Sequence, residues 1–80
     1  MIPIRVTSGL WSTSILPQGI LQEWRCPDGA LIRAGEPVAC IQIEDARHEL
    51  LAPASGWLKR EMKANDVIEP GMVIGHLATL

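Results

Sequence analysis

The sequence predicts an all-β sandwich or barrel, built as a pseudo-twofold pair of small sheets. Three observations carry this reading. Turn signals recur between short apolar runs, at Pro27-Asp28-Gly29, Ala34-Gly35-Glu36-Pro37, Asn65-Asp66 and Glu69-Pro70-Gly71. The second half of the chain also echoes the first. Gly19-Ile20-Leu21 returns as Gly56-Trp57-Leu58 at an offset of 37, and Leu31-Ile32 and Val38 return as Val67-Ile68 and Ile74 at an offset of 36. Two copies are too few for a solenoid, which needs about three or more. Finally, 48% of the 80 residues are hydrophobic, enough for one core in one domain, 1–80. A chain of this size buries roughly 60% of the surface it exposes when unfolded.

The elements follow in order. Ile2–Val6 is the first expected strand, and Leu10 to Gln18 is expected to be loop because Ser12, Thr13, Ser14 and Pro17 crowd it. Ile20–Arg25 is the second strand, stopped by the Pro27-Asp28-Gly29 turn, where Pro presets φ and Gly supplies a positive φ. Leu31–Ile32 and Pro37–Ile43 follow, separated by the Gly35 turn. The next segment is ambiguous. Glu44 to Leu51 has the propensity and the i,i+4 pairs of a short helix, Asp45 with Glu49 and Arg47 with Leu51. It is only about two turns long, where helices are marginal, and Ala52-Pro53 closes it. Beyond it, Gly56–Met62, Val67–Ile68 and Val73–Ala78 complete the second half. Asn65 stands where the first copy has glycine, and Asn tolerates the left-handed region.

Composition removes several classes of function. The net charge is −2, and the only basic cluster, Lys59, Arg60 and Lys63, is interrupted by Glu61, so no nucleic-acid-binding face is expected. No stretch approaches the ~18 apolar residues that span a membrane, and the start, MIPIRVTSG, lacks a secretory pattern. A cytoplasmic protein is expected, with Cys26 and Cys40 as free structural thiols. Trp24 and Trp57 read as core or half-buried packing, Trp11 as a cover for the barrel, and His76 as a packed or edge residue.

Ala52-Pro53-Ala54-Ser55-Gly56 resembles the Ala-Pro-x-x-Gly signature of the biotinyl/lipoyl carrier family. Other motifs are similar in the same order. Pro17 to Trp24 looks like the first lipoyl-domain strand ending in Glu-Trp, Asp28 to Val38 looks like the G-D-x-V-x-x-G run, Ile41-Gln42-Ile43-Glu44 looks like the acidic strand before the attachment turn, and Ala64 to Gly75 repeats the G-D run. The resemblance covers about Ile4 to Leu77, and the Trp24 strand and Glu49 before the Ala-Pro signature lean toward the lipoyl side; the biotin-type Ala-Met-Lys-Met is absent. It implies a flattened barrel, or barrel-sandwich hybrid, of two four-stranded sheets related by a pseudo-twofold. It also moves Glu44 to Leu51 from helix to a hairpin with its turn near Glu44–Arg47.

In that family a lysine eight residues before the proline carries lipoate or biotin. Here that position is Asp45. The attachment needs an amine to attack an acyl-adenylate and leave a stable amide. A carboxylate would give an unstable anhydride. The only lysines are Lys59 and Lys63, both in the second half. The polar group Glu44, Asp45, Arg47, His48 and Glu49 has no metal-site spacing and no sign of the burial that acid–base work requires. It reads as a solvated turn, with Glu44, Asp45, Ala46 and Arg47 as the tip open to partner recognition.

The resemblance therefore implies a non-catalytic, carrier-like domain with neither lipoate nor biotin. It would recognise or regulate enzyme subunits of an acyl- or carboxyl-transfer complex, and it is expected to be a monomer. Two other readings stand beside this one: a working swinging-arm carrier modified at Lys59 or Lys63, and a structural remnant kept as scaffold.

Overall fold

A computed structural model describes residues 1–11 and 18–79. Among the described residues, eight strands and one 3-10 turn make up the regular structure: β1 (Ile2–Arg5), the 3-10 turn (Ser8–Trp11), β2 (Gly19–Trp24), β3 (Leu31–Ile32), β4 (Pro37–Ile43), β5 (Ala46–Leu51), β6 (Gly56–Arg60), β7 (Val67–Ile68) and β8 (Val73–Ala78). They form two antiparallel four-stranded sheets, ordered β1-β8-β6-β3 and β5-β4-β2-β7. Neither sheet closes on itself, and the extents of 39 × 20 × 16 Å are those of a flattened barrel-sandwich. No helix among the described residues is long and apolar enough to cross a membrane.

Advancing every strand by four positions converts one sheet order into the other, so the topology itself carries the pseudo-twofold. Hydrogen bonds repeat with it. Leu21 N–H donates to Asp66 O as Leu58 N–H donates to Ala30 O, and Arg25 N–H donates to Val38 O as Glu61 N–H donates to Ile74 O. The turns match as well. Gly29 and Asn65 have φ of 85° and 75°, and Gly35 and Gly71 have φ of 85° and 84°, both pairs at an offset of 36. These positions need a left-handed backbone, which explains the glycines and the asparagine.

The register locates the residue by which the two copies differ. In the second copy Leu58, Lys59 and Arg60 pair with Leu77, His76 and Gly75 without interruption. In the first, Leu21 pairs with Ile41, but the next bridges are Glu23 to Cys40 and Trp24 to Ala39. Gln22 is thus an extra residue in a β-bulge, two residues opposing one. The change of offset from 37 to 36 in the sequence is this bulge.

Alternation on each strand sends one face inward. The core consists of symmetry-related pairs: Leu21 with Leu58, Ile32 with Ile68, Val38 with Ile74, Ile41 with Leu77 and Ile4 with Leu50, all buried. Burying side chains of this size contributes about 1.5–3 kcal/mol each before entropy is charged against it. Trp11 is buried as the cover, its ring lying against the α-carbon side of Gly19. Trp24 is half-buried, donates its Nε1–H to Met62 O at 2.9 Å and lies under the Arg60 guanidinium at 5.7 Å.

Several boundaries differ from the sequence reading. The segment from Glu44 to Leu51 is the expected hairpin and not the helix that local propensity allows, because β4 supplies a ladder from Ile43↔Ala46 to Ala39↔Leu50. Its turn is shorter than the expected Glu44–Arg47: β5 begins at Ala46, and only Glu44 and Asp45 form the turn. β6 stops at Arg60 instead of Met62, where the chain leaves to place Met62 O on Trp24. Trp57 is 46% exposed, not core, since it sits on the outer face opposite Leu31. His76 lies on β8, between β1 and β6, and its Nδ1 pairs with Glu61. The expected loop from Leu10 to Gln18 falls partly in the 3-10 turn, and its residues 12–17 lie outside the described residues.

Candidate functional site

The hairpin of β4 and β5 projects a two-residue turn. Ile43 and Ala46 pair across it, which leaves Glu44 and Asp45 as the whole loop. Glu44 holds a φ of 53°. A side chain at positive φ costs free energy, and such turns usually employ Gly, Asn or Asp there. Below the turn, Ile43 is buried and anchors the hairpin to the core.

Polar side chains brace the strained turn from one side. Gln42 donates its Nε2–H to Glu44 O at 3.1 Å. Its Oε1 accepts from Gln22 Nε2 at 3.0 Å, and Gln22 Oε1 accepts from the Cys40 thiol at 3.6 Å. The bulge residue thus lies at the base of a relay that ends on the turn carbonyl. The repeat has no counterpart of this relay, because the second copy has no bulge. Gln42→Ala is expected to cost about 1 kcal/mol, the net value of a typical hydrogen bond. It should also speed amide exchange at Asp45 and Ala46, measured by hydrogen–deuterium exchange, while leaving the β6–β8 ladder unchanged.

The sequence-derived tip residues divide between two environments. Glu44 and Asp45 are exposed in the turn. Ala46 and Arg47 are exposed on β5, locked in register against Ile43 and Gln42. Of their polar neighbours, His48 is partly buried and Glu49 accepts from Arg25 Nη2 at 3.0 Å. No group of three or more His, Cys, Asp or Glu side chains is placed to hold a metal ion among the described residues. Lys59 lies within the β6 ladder opposite His76, and Lys63 lies in the following turn, where its backbone N–H donates to Asp66 Oδ2 at 2.8 Å. Neither belongs to the hairpin.

Next to the tip, a hollow of about 370 Å³ is lined by Gln18, Gly19, Ile20, Gln42, Glu44 and Val67. Ile20 and Val67 pair across β2 and β7 and are 45% and 52% exposed. They make an apolar shelf beside an acidic turn. The sequence reading passed over this shelf and the Gln22–Gln42 brace. The one signal for the brace was the single-residue mismatch between the repeat offsets.

Cys26 and Cys40 are free thiols. Burial pushes the Cys26 thiol up, and the nearby Glu36 carboxylate pushes it further, so little of it is the reactive thiolate.

The fold and the hairpin define an open barrel-sandwich that presents a braced acidic tip beside an apolar shelf. No protein-family model matches the chain, and no curated protein matches it.

Proposed function

We propose that the protein is a lipoyl/biotinyl-like domain without an attached group, acting in recognition of the enzyme subunits of an acyl- or carboxyl-transfer complex. The observation that carries this reading is Asp45 at the second position of a two-residue turn, where the resemblance puts the modified lysine. The residues present do not fit lipoate or biotin. An amide link needs an amine at the tip, and the tip offers the carboxylates of Glu44 and Asp45. What the hairpin retains is its shape: a fixed turn, a braced carbonyl and the Ile20–Val67 shelf. These features suit protein contact, with the shelf supplying apolar area and the acidic tip supplying orientation and charge selectivity.

The test is intact mass after co-expression with lipoate and biotin ligases. No added mass is expected. A lipoylated or biotinylated product, at any lysine, would sink the reading.

A further inference from the structure

The pseudo-twofold exchanges the two long outer strands, β1 and β5, and the sequence treats their free edges differently. Ile43 and Ala46 flank a two-residue hairpin loop, so they exchange both backbone hydrogen bonds. Alternation then gives the bonded role to Ile41 with His48 and to Ala39 with Leu50. The N–H and C=O of Arg47 and Glu49 are therefore turned away from β4, toward the open edge. No other backbone partner is found for either residue among the described residues. On β1, Pro3 pairs with His76 just as Glu49 pairs with Cys40, so Pro3 occupies the position equivalent to Glu49. Proline there has no N–H, a common way of blunting a sheet edge. The edge of β5 has no such block.

We propose that β5 pairs antiparallel with β5 of a second copy, joining two four-stranded sheets into one across a closed twofold. This departs from the monomer expected from the sequence, and it does not depend on the carrier-like reading of the hairpin. Charge selects the partner and the register. Arg47 and Glu49 lie two apart, so their side chains share the outer face. With Arg47 opposite the partner's Glu49, and Glu49 opposite the partner's Arg47, both cross-strand pairs are of opposite sign. Shifting by one pairing step in either direction sets Arg47 against Arg47 of the partner subunit, or Glu49 against Glu49 of the partner subunit, which is unfavourable. The favoured register puts His48 on the twofold and leaves Glu49 between its own Arg25 and the partner's Arg47.

The same register has a second consequence. It carries the partner's Asp45 to the level of Leu51. There a groove of about 360 Å³ lies between the β1 and β5 edges, with apolar walls from Pro3, Ile4, Leu50, Leu51 and Pro53 and with Arg5 and Glu49 as its charged lining residues. Arg5 occupies the position on β1 that Leu51 occupies on β5, since Arg5 pairs with Val73 as Leu51 pairs with Pro37. The tip thus arrives beside an apolar groove that carries Arg5, once in each direction. A closed, isologous contact is the arrangement that satisfies both copies at once.

Sedimentation equilibrium from micromolar to millimolar protein tests the proposal. A reversible monomer–dimer equilibrium is expected. Glu49→Pro removes an N–H that the β4 ladder does not use, so it should stay folded by circular dichroism and become monomeric. Arg47→Glu should raise the dimer dissociation constant about tenfold, because two opposite-charge pairs become like-charge pairs. The double variant Arg47→Glu/Glu49→Arg should bring it back. A protein that stays monomeric at millimolar concentration overturns the proposal, as does a dimer that survives a folded Glu49→Pro. If Glu49→Pro fails to fold, the charge pair decides: a double variant no tighter than Arg47→Glu alone overturns it.

Discussion

Asp45→Lys is expected to gain a lipoyl or biotinyl group when co-expressed with the matching ligase, while the unaltered protein gains none. The substitution supplies the missing nucleophile, an amine able to attack an acyl-adenylate and leave a stable amide. Nothing in the fold obstructs it. Asp45 is exposed in a two-residue turn, and the brace on the turn acts through Glu44 O, not through the Asp45 side chain. A ligase would also need the hairpin held in shape, which the Ile43 anchor and the Gln22–Gln42 relay provide. Intact mass reads the result directly. A well-folded Asp45→Lys protein that accepts neither group would show that the surface around the tip does not support ligase recognition. Comparing it with Asp45→Lys/Gln42→Ala separates the amine from its positioning. The second substitution should lower the extent of modification if the fixed turn matters.

Gly56→Ala is expected to destabilise the protein by about 3 kcal/mol or more, the upper end of overpacking costs. A Cβ built on Gly56 would overlap the carbonyl oxygen of Ala78 and come within 2.9 Å of its carbonyl carbon. Both atoms belong to the β6–β8 ladder, where Trp57 pairs with Ala78, so no flexible side chain can move aside. A domain of this size has about 4–12 kcal/mol of stability in total, so the loss is a large fraction of it. Urea unfolding should show a lower midpoint with little change in slope. Gly19, the symmetry mate, meets Gln42 O at 2.9 Å and Ile43 Cγ1 at 3.0 Å, so Gly19→Ala should cost less than Gly56→Ala. Gly9 has nothing within 4 Å, and Gly9→Ala is the near-neutral control. Equal stability of the three variants would contradict this packing.

Much of the architecture was legible because its causes are local. Gly29, Gly35, Asn65 and Gly71 announce left-handed turns through backbone sterics, and each does adopt positive φ. The spacing of Leu21, Ile32 and Val38 against Leu58, Ile68 and Ile74 announced two matching halves, and these residues are buried. The stretch from Ala46 to Glu49 was not legible in the same way. Its helical propensity is overridden by a partner strand, and pairing with β4 is a tertiary event. Trp57 was misread for a related reason. Its type favours burial, but alternation along β6 buries Gly56 and Leu58 and leaves Trp57 outside.

By itself, the sequence determined the all-β class, the doubled architecture and the absence of an amine at the position of Asp45. Residue types, their order and their spacing state these without reference to any partner in space. The tertiary structure alone decided where the extra residue of the first copy goes. A change of offset from 37 to 36 cannot say which residue is unpaired, whereas the ladder makes it Gln22 and turns it toward Gln42 and the hairpin tip. It also decided which edge is open. Pro3 and Glu49 are 46 residues apart and unlike in chemistry. Only the pairing of each with the opposite copies of one strand, β8 and β4, shows that they hold equivalent places and that one edge is blocked while the other can pair.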